Sequence, residues 1–486
     1  MLKDVFIIAV AMIVAIFLVS FTLIVKVGLI LLTILMFIGY YFISSMQSSS
    51  VIEEYKDVDY LNELITPLDV EPEDRVVIKT TNTQTPVALK PFVMPFKFKT
   101  SNIKLDSLAY VQNIAKEISD YFRTKNVNLE YVESDRTPQF NTLKFRILAT
   151  EEIVRGVSRK VQADVSKITK RLDDLKIRLG MEHIKIISPI PGTQYIGITV
   201  PCSQDNIVQF GNIIDDFINH VEFNKFNQPI NLSVPLGVYS GGNLFIDIID
   251  APHILIAGKS GSGKSSVLND ILAALLMTHT SKTLNLYMVD GKLVELNRYK
   301  GIPHLNGRGI VTDIIDFNDM LDEVLKIIAD RTTLLASKNL RDIQSYNQKY
   351  EDYMPYVVVV VDEYGDFMLD KKAKVDGVKL VEAIETKLVR IAQIGRAMGV
   401  HLVLTTQRPD ATIITGLIKA NIGTKIALLT SSAMDSRIII DESDAASLNG
   451  KGDGILKNDN GLTRFQAPFI DDDEMLKFIK EVKKNE

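Results

Sequence analysis

One short run constrains the fold of this chain more than any other: Gly258-Lys259-Ser260-Gly261-Ser262-Gly263-Lys264-Ser265. It has the form G-x-x-x-x-G-K-[ST]. An apolar stretch, His253 to Ala257, precedes it, and a helix-forming one, Ser265 to His279, follows. Glycines let the backbone curl until its N–H groups converge on phosphate oxygens, and the next helix aims its positive N-terminus at the same point. Lys264 is therefore expected to reach the β- and γ-phosphates of a nucleotide, and the Ser265 hydroxyl to ligate Mg²⁺. Lys259, Ser260, Gly261, Ser262, Gly263 and Ser266 complete the expected cradle.

Four further apolar segments read as strands: Leu284–Val289, Tyr356–Val361, His401–Thr406 and Lys425–Thr430. Helical patterns lie between them, notably Phe317–Leu335. Strands that are apolar along their whole length and alternate with helices predict a parallel sheet buried on both faces. The run Val357–Val361 ends in Asp362-Glu363. Two carboxylates at such a strand tip suit metal-assisted phosphate chemistry. Asp362 is expected to hold Mg²⁺, directly or through water, and Glu363 to polarise the attacking water. Gln407, at the tip of a third strand, can sense a γ-phosphate; a simple loop or helix-cap role fits its spacing as well.

The N-terminus departs from this pattern. From Val5 to Ile43 the only formal charge is Lys26. That run is too long for one membrane span and right for two of ~20 residues. A two-helix transmembrane hairpin is expected over 1–45, turning at Lys26-Val27-Gly28. A single helix of ~58 Å would bury Lys26 in hydrocarbon, and no small-residue cleavage site supports a signal peptide. An even number of spans puts both ends on one side, so a two-span cell-membrane protein with a cytoplasmic motor is expected.

Residues 46–104 read as a linker with extended segments. Residues 105–235 read as an α+β domain. Its expected helices are Leu108–Phe122 and Ile153–Leu179, and its strands Leu143–Leu148, His183–Ile187 and Tyr195–Val200. Lys160, Lys167, Lys170, Arg171 and Lys176 punctuate the second helical stretch as a solvated face or, alternatively, a DNA-facing lining. Residues 236–486 carry the motor. With one cysteine, Cys202, an intrachain disulfide and a four-Cys zinc site are excluded. The net charge of −5 gives no global attraction to nucleic acid, though a few basic loops would suffice for it.

The motor segment resembles the FtsK/SpoIIIE family of membrane-anchored, hexameric, ATP-driven double-stranded-DNA translocases. The matching runs are APHILIAGKSGSGKSS, VDGKLVELNRYKGIPHL, MPYVVVVVDEYGDFM, RIAQIGRAMGVHLVLTTQRPD, TGLIKANIGTKIAL and SSAMDSRIIID. SPIPGTQYIGITVP is similar, more weakly, to that family's α domain. The resemblance implies a RecA-like P-loop motor using ATP and Mg²⁺, assembled as a homohexamer around DNA. It also implies that Arg396 reaches the neighbouring subunit's nucleotide as an arginine finger. Arg408, Lys419 and Arg437 fall in segments whose family counterparts face DNA in the pore, where phosphate contacts are sequence-blind; surface salt bridges are the bland reading of each.

Ala433 stands where the family usually has a basic residue, and Met368–Gly377 is longer than the family's equivalent. Two spans, a short linker and, after the motor, no DNA-reading winged helix are expected of the chain. Hairpin plus bare motor is similar to the coupling proteins of Gram-positive conjugative elements, which deliver relaxase-bound DNA to a type IV secretion channel. The alternatives are a chromosome- or plasmid-partitioning translocase and a type VII-like protein-secretion ATPase.

Overall fold

The computed structural model describes residues 93–485, apart from 155–156, 163, 188–189, 191–192, 204–205, 370–373 and 376–377. The expected membrane hairpin and residues 46–92 lie outside these. Among the described residues no helix is long and apolar enough to cross a membrane.

The first half opens with α1 (Leu108–Arg123), whose N-cap Ser107 accepts from the Tyr110 N–H. Val111, Ile114, Ala115, Ile118 and Phe122 recur at helical spacing and are buried. Five antiparallel strands follow, interrupted by two helices: β1 (Asn128–Arg136), β2 (Phe140–Val154), β3 (Val157–Gln162), α2 (Val165–Thr169), α3 (Leu172–Leu179), β4 (Lys185–Ile187) and β5 (Ile196–Pro201). The order is β1-β2-β5-β4, with β3 also paired to β2. The α1 stripe shares a core with Leu143, Phe145, Ile198 and Val200. The expected helix over Ile153–Leu179 is corrected: its first third is the end of β2 and the whole of β3. The β-branched Ile153, Val154, Val157 and Val161 favour a pleated hairpin, and helix begins only at the N-cap Asp164.

The second half contains α4 (Ile214–Ile218), β6 (Ser233–Tyr239), β7 (Gly242–Asp247), β8 (His253–Ala257), α5 (Lys264–Thr278), β9 (Leu284–Asp290), β10 (Leu305–Val311), α6 (Ile314–Ser337), α7 (Ile343–Lys349), β11 (Tyr356–Asp362) and α8 (Tyr364–Met368). Then come the two-residue strands β12 (Lys374–Val375) and β13 (Val378–Lys379), α9 (Leu380–Ile394), β14 (Val400–Thr406), α10 (Gly416–Asn421), β15 (Thr424–Leu428), α11 (Ala433–Ile440), β16 (Asp453–Asn458), β17 (Gly461–Gln466) and α12 (Asp472–Lys484). One ten-stranded sheet runs β10-β9-β11-β14-β8-β15-β16-β17-β6-β7.

From β10 to β15 the pairs are parallel, as expected. The remainder is antiparallel, so the sheet is mixed rather than parallel throughout. The two-residue connections Ser240-Gly241 and Asp459-Asn460 permit only hairpins. Parallel strands feed two cores by alternation. Ile254, Ile256, Val358 and Val360 face the side covered by α5 and α12. Leu255, Ala257, Val357, Val359 and Val361 face α6 and α9.

Residues 93–104, expected within a linker, pack on this sheet's domain. The Met94 N–H donates to Met277 O at 2.8 Å, and Phe98 lies 4.9 Å from Phe210 and 5.1 Å from Phe478 between ring centres. Phe210, Phe217 and Val221 join the same core, which therefore extends N-terminal of residue 236.

Asp270 lies on α5, fully buried, and neither carboxylate oxygen has a hydrogen-bond partner. Burial pushes its pKa well above the usual carboxylate value. The folded chain thus holds a proton that the unfolded chain releases near pH 3.8, and stability falls as pH rises from there toward the folded value. Asp270→Asn removes that dependence, by up to about 1.4 kcal/mol per pH unit. Its Tm relative to wild type should therefore be higher at pH 8 than at pH 5. Equal differences at both pH values would show that Asp270 is not held protonated.

Candidate active site

Parallel pairing brings the carboxyl ends of β8, β14 and β11 to one edge, with Thr406 beside Ala257 and Val361 beside Leu404. The phosphate loop leaves β8 at that edge. Gly261 and Gly263 take positive φ of 75° and 104°. A Cβ on Gly263 would lie 2.2 Å from the Gly452 nitrogen. That close approach is used, because the Gly452 N–H donates to Ser262 O at 2.8 Å. Any side chain at Gly263 would pry the loop from the 449–452 turn.

At the strand tips the Lys264 ammonium lies 2.5 Å from Asp362 Oδ1 and 3.0 Å from Thr405 Oγ1. The Thr405 hydroxyl donates to the same Asp362 oxygen at 2.7 Å. Lys264, Asp362 and Thr405 are all buried. Glu363 follows with φ of 49°, a left-handed conformation that costs a non-glycine residue roughly 1–3 kcal/mol. Both its carboxylate oxygens are held by the β14 tip. The Thr406 hydroxyl donates to Oε1 at 2.9 Å, and the Gln407 N–H donates to Oε2 at 2.8 Å. A Cβ on Gly365 would lie 3.0 Å from Thr406 Oγ1 and 3.1 Å from Glu363 Oε1, so a small residue leaves that carboxylate room.

Sequence reasoning missed Glu295, whose Oε1 accepts from the Ser265 hydroxyl at 2.6 Å. Asp290, at the tip of β9, shapes the loop that presents it: its carboxylate accepts from the N–H groups of Lys292, Glu295 and Leu296 at 3.1, 3.1 and 3.0 Å. Lys292 then pairs with Asp366 at 2.6 Å. That hydrogen bond raises the Lys292 pKa, with Asp366 and Glu363 also favouring its charge against partial desolvation. The acidic residues of VDGKLVELNRY were the available signal, since the run begins on a strand ending at this same edge. Ser265, Asp362 and Glu295 present hard oxygen donors suited to Mg²⁺.

The remaining predicted residues separate. Gln407 lines the same cavity, of about 730 Å³, as Lys259 to Gly261 and Gly263 to Ser266. Arg396 does not join it: it precedes β14, at the opposite end of the sheet, and meets Asp250 at 3.5 Å. The length of β14 alone puts it ~20 Å from the carboxylates. Lys419 and Arg437 come together, the Lys419 ammonium donating to Arg437 O at 2.9 Å. That ammonium also pairs with Asp441 at 2.5 Å. The Arg437 and Arg408 side chains are exposed.

A phosphate loop, an acid pair two strands away and a polar strand tip between them define an α/β P-loop NTPase fold with a mixed sheet. Similarity to known proteins gives the family. Residues 214–411 match the FtsK/SpoIIIE family model and 93–202 the FtsK alpha domain, and the chain belongs to the FtsK/SpoIIIE family. It is 35% identical over 329 residues to a DNA translocase FtsK of Borreliella burgdorferi, covering 66% of this chain and 40% of that protein. It is also 35% identical over 376 residues to a DNA translocase FtsK of Caldanaerobacter subterraneus, covering 76% and 49%, and 38% identical over 326 residues to the DNA translocase SftA of Bacillus subtilis, covering 66% and 33%. The chain thus spans less than half of each of these relatives. Among solved structures, the pCW3 conjugation coupling protein TcpA, in a monomer form with ATPγS, matches with a TM-score of 0.52 and 25% identity, over 77% of this chain and all of that one.

Thr405→Val keeps the shape of the strand tip but withdraws one donor from the buried Asp362. Leaving that oxygen under-satisfied should cost about 1–3 kcal/mol and lower the Tm by several degrees. An unchanged melting curve would mean that the hydroxyl contributes nothing to the pair.

Proposed function

We propose that this chain is a membrane-anchored, Mg²⁺-dependent ATPase that translocates DNA as a head-to-tail homohexamer, serving as the coupling protein of a conjugative element. The observation that carries the motor reading is the buried Lys264–Asp362–Thr405 cluster beside the glycine loop. Lys264 would exchange Asp362 for the β- and γ-phosphates on nucleotide binding. Asp362 and Ser265 would then hold Mg²⁺, which supplies charge neutralisation on the phosphates. Glu363, once released by Thr406 and Gln407, would orient water, with Gln407 reporting the γ-phosphate. The coupling role is supported by the match that spans the whole TcpA chain. A partitioning translocase is the second reading, favoured by the DNA translocase relatives. Relaxase-bound DNA, channel components and the hairpin anchor belong to the first. Lys264→Ala should abolish nucleotide binding. Glu363→Gln should retain it and lose turnover, since only water activation is removed. Wild-type turnover by Glu363→Gln would remove Glu363 as the base.

The position of Arg396, at the far end of the sheet from its own loop, supports action on a neighbour's nucleotide, which requires a heterologous ring. Mixing Arg396→Ala with Lys264→Ala subunits should partly restore ATPase, because some interfaces regain both intact halves. Confirmed mixed rings with no recovery would count against the finger.

DNA contact is the finer part of the reading. ATPase of the full-length chain should rise with plasmid DNA and fall back as salt increases. Arg437→Ala should weaken DNA binding and flatten its salt dependence by about one charge per engaged subunit. Lys419→Ala should do less, because Asp441 already neutralises its ammonium. A DNA-indifferent ATPase in a verified hexamer would favour a protein-secretion motor.

A further inference from the structure

We propose that Thr406 is a positioning residue for the reaction: its hydroxyl clamps Glu363 in the resting chain, and DNA held at Arg408 opens the clamp. This rests on the readings of Glu363 as the base and Arg408 as a DNA contact. The hydroxyl stands between those two residues. It accepts from the Arg408 N–H at 3.1 Å and donates to Glu363 Oε1 at 2.9 Å. A hydroxyl that accepts one hydrogen bond donates the next more strongly. Two bonds in series thus join the backbone of an exposed arginine to a buried carboxylate.

The hydroxyl has a second acceptor within reach. Arg408 O lies 3.5 Å from Thr406 Oγ1, at the outer limit of a hydrogen bond, and a small shift of Arg408 would close that gap. The hydroxyl proton would then turn from Glu363 to Arg408 O, so that no buried donor is left unpaired, which is the main cost of breaking such a bond. The clamp therefore has two arrangements, and the position of Arg408 selects between them.

The surrounding chain confines that shift to one turn. Thr406 is buried, as are Ile413 and Ile414, whereas 407, 408 and 410–412 are exposed. The Asp410 N–H donates to Arg408 O at 2.8 Å, and Pro409 between them has a fixed φ, so 408–410 shift as one piece. A phosphate drawing on the Arg408 guanidinium pulls that piece against two buried ends, and the nearer end is Thr406. The other Glu363 oxygen is held from the same turn, by the Gln407 N–H at 2.8 Å. Displacing the turn frees both oxygens together.

The test measures steady-state ATPase of the full-length chain with and without plasmid DNA, at a protein concentration where light scattering shows the same assembly in both. Thr406→Val keeps the shape of the side chain and removes the hydroxyl. It should raise the DNA-free kcat roughly tenfold, the weight of one hydrogen bond to a charged group, with little change in the KM for ATP. The ratio of DNA-saturated to DNA-free kcat should fall by the same factor. Thr406→Ser returns the hydroxyl and should restore both the low DNA-free rate and the ratio. A purely structural role would lower both rates in Thr406→Val and leave their ratio in place. That result, or a wild-type DNA-free rate in Thr406→Val, overturns the clamp while the base and the DNA contact stand. A wild-type chain whose ATPase ignores DNA overturns the release at Arg408 together with the DNA reading. Wild-type turnover by Glu363→Gln overturns the base and the clamp with it. If Thr406→Val does not fold, Thr406→Ala removes the same hydroxyl without crowding the site, and the same ratio decides.

Discussion

Everything at the active edge depends on one buried ion pair, Lys264 to Asp362, joined through the Thr405 hydroxyl. Burying two charges costs more than their attraction returns unless hydrogen bonds complete the set. Here the set is completed by a residue from the strand between the two partners. That arrangement needs β8, β14 and β11 adjacent, parallel and in register, so the sheet topology and the site are one constraint. The pair also keeps Lys264 extended toward the strand tips, and a phosphate that replaced Asp362 would find the ammonium in position.

Glu363 is held in a complementary way. Its left-handed backbone and its two hydrogen bonds to the β14 tip store strain and occupy both carboxylate oxygens. Water activation would require those contacts to loosen, and both come from the segment that ends in Gln407. In the proposed mechanism, the γ-phosphate sensor and the groups that restrain the base would therefore be neighbours at one strand tip. The same edge is buttressed from the other side by Asp290, which folds its loop so that Glu295 meets Ser265 and Lys292 meets Asp366.

The antiparallel half of the sheet gives the loop its second support. Gly452 bonds to Ser262, Asp453 anchors Arg464, and Arg464 lies over Phe140 of the α+β domain. Through this chain of contacts the phosphate loop and the smaller domain are two bonds and one ring contact apart. Arg396 lies at the opposite end of the sheet, held near Asp250, while Arg331 fixes the loop behind it through the carbonyls of Met398 and Pro355, both at 2.6 Å. The chain therefore presents its loop at one end of the sheet and its arginine at the other, the polarity that the proposed head-to-tail ring would use.

Much of this is legible in the sequence because it is local. The glycine loop, the apolar run before Asp362 and the strand before Gln407 announce themselves through composition and spacing, and their strands form within a residue or two of the expected bounds. The hairpin of β2 and β3 reads as helix in the sequence because its β-branched residues also fit a short amphipathic pattern. The antiparallel extension stays hidden because a parallel core dominates the hydrophobic signal. Glu295 cannot be ranked above other acids from the chain alone, since its importance comes from Asp290 turning a loop back onto Ser265. The sequence by itself determined which chemistry the chain carries, because phosphate binding needs particular residues at fixed spacing. Tertiary structure decided which groups restrain the carboxylates, where Arg396 cannot reach and what walls the cavity, because those depend on contacts between segments with no fixed separation along the chain.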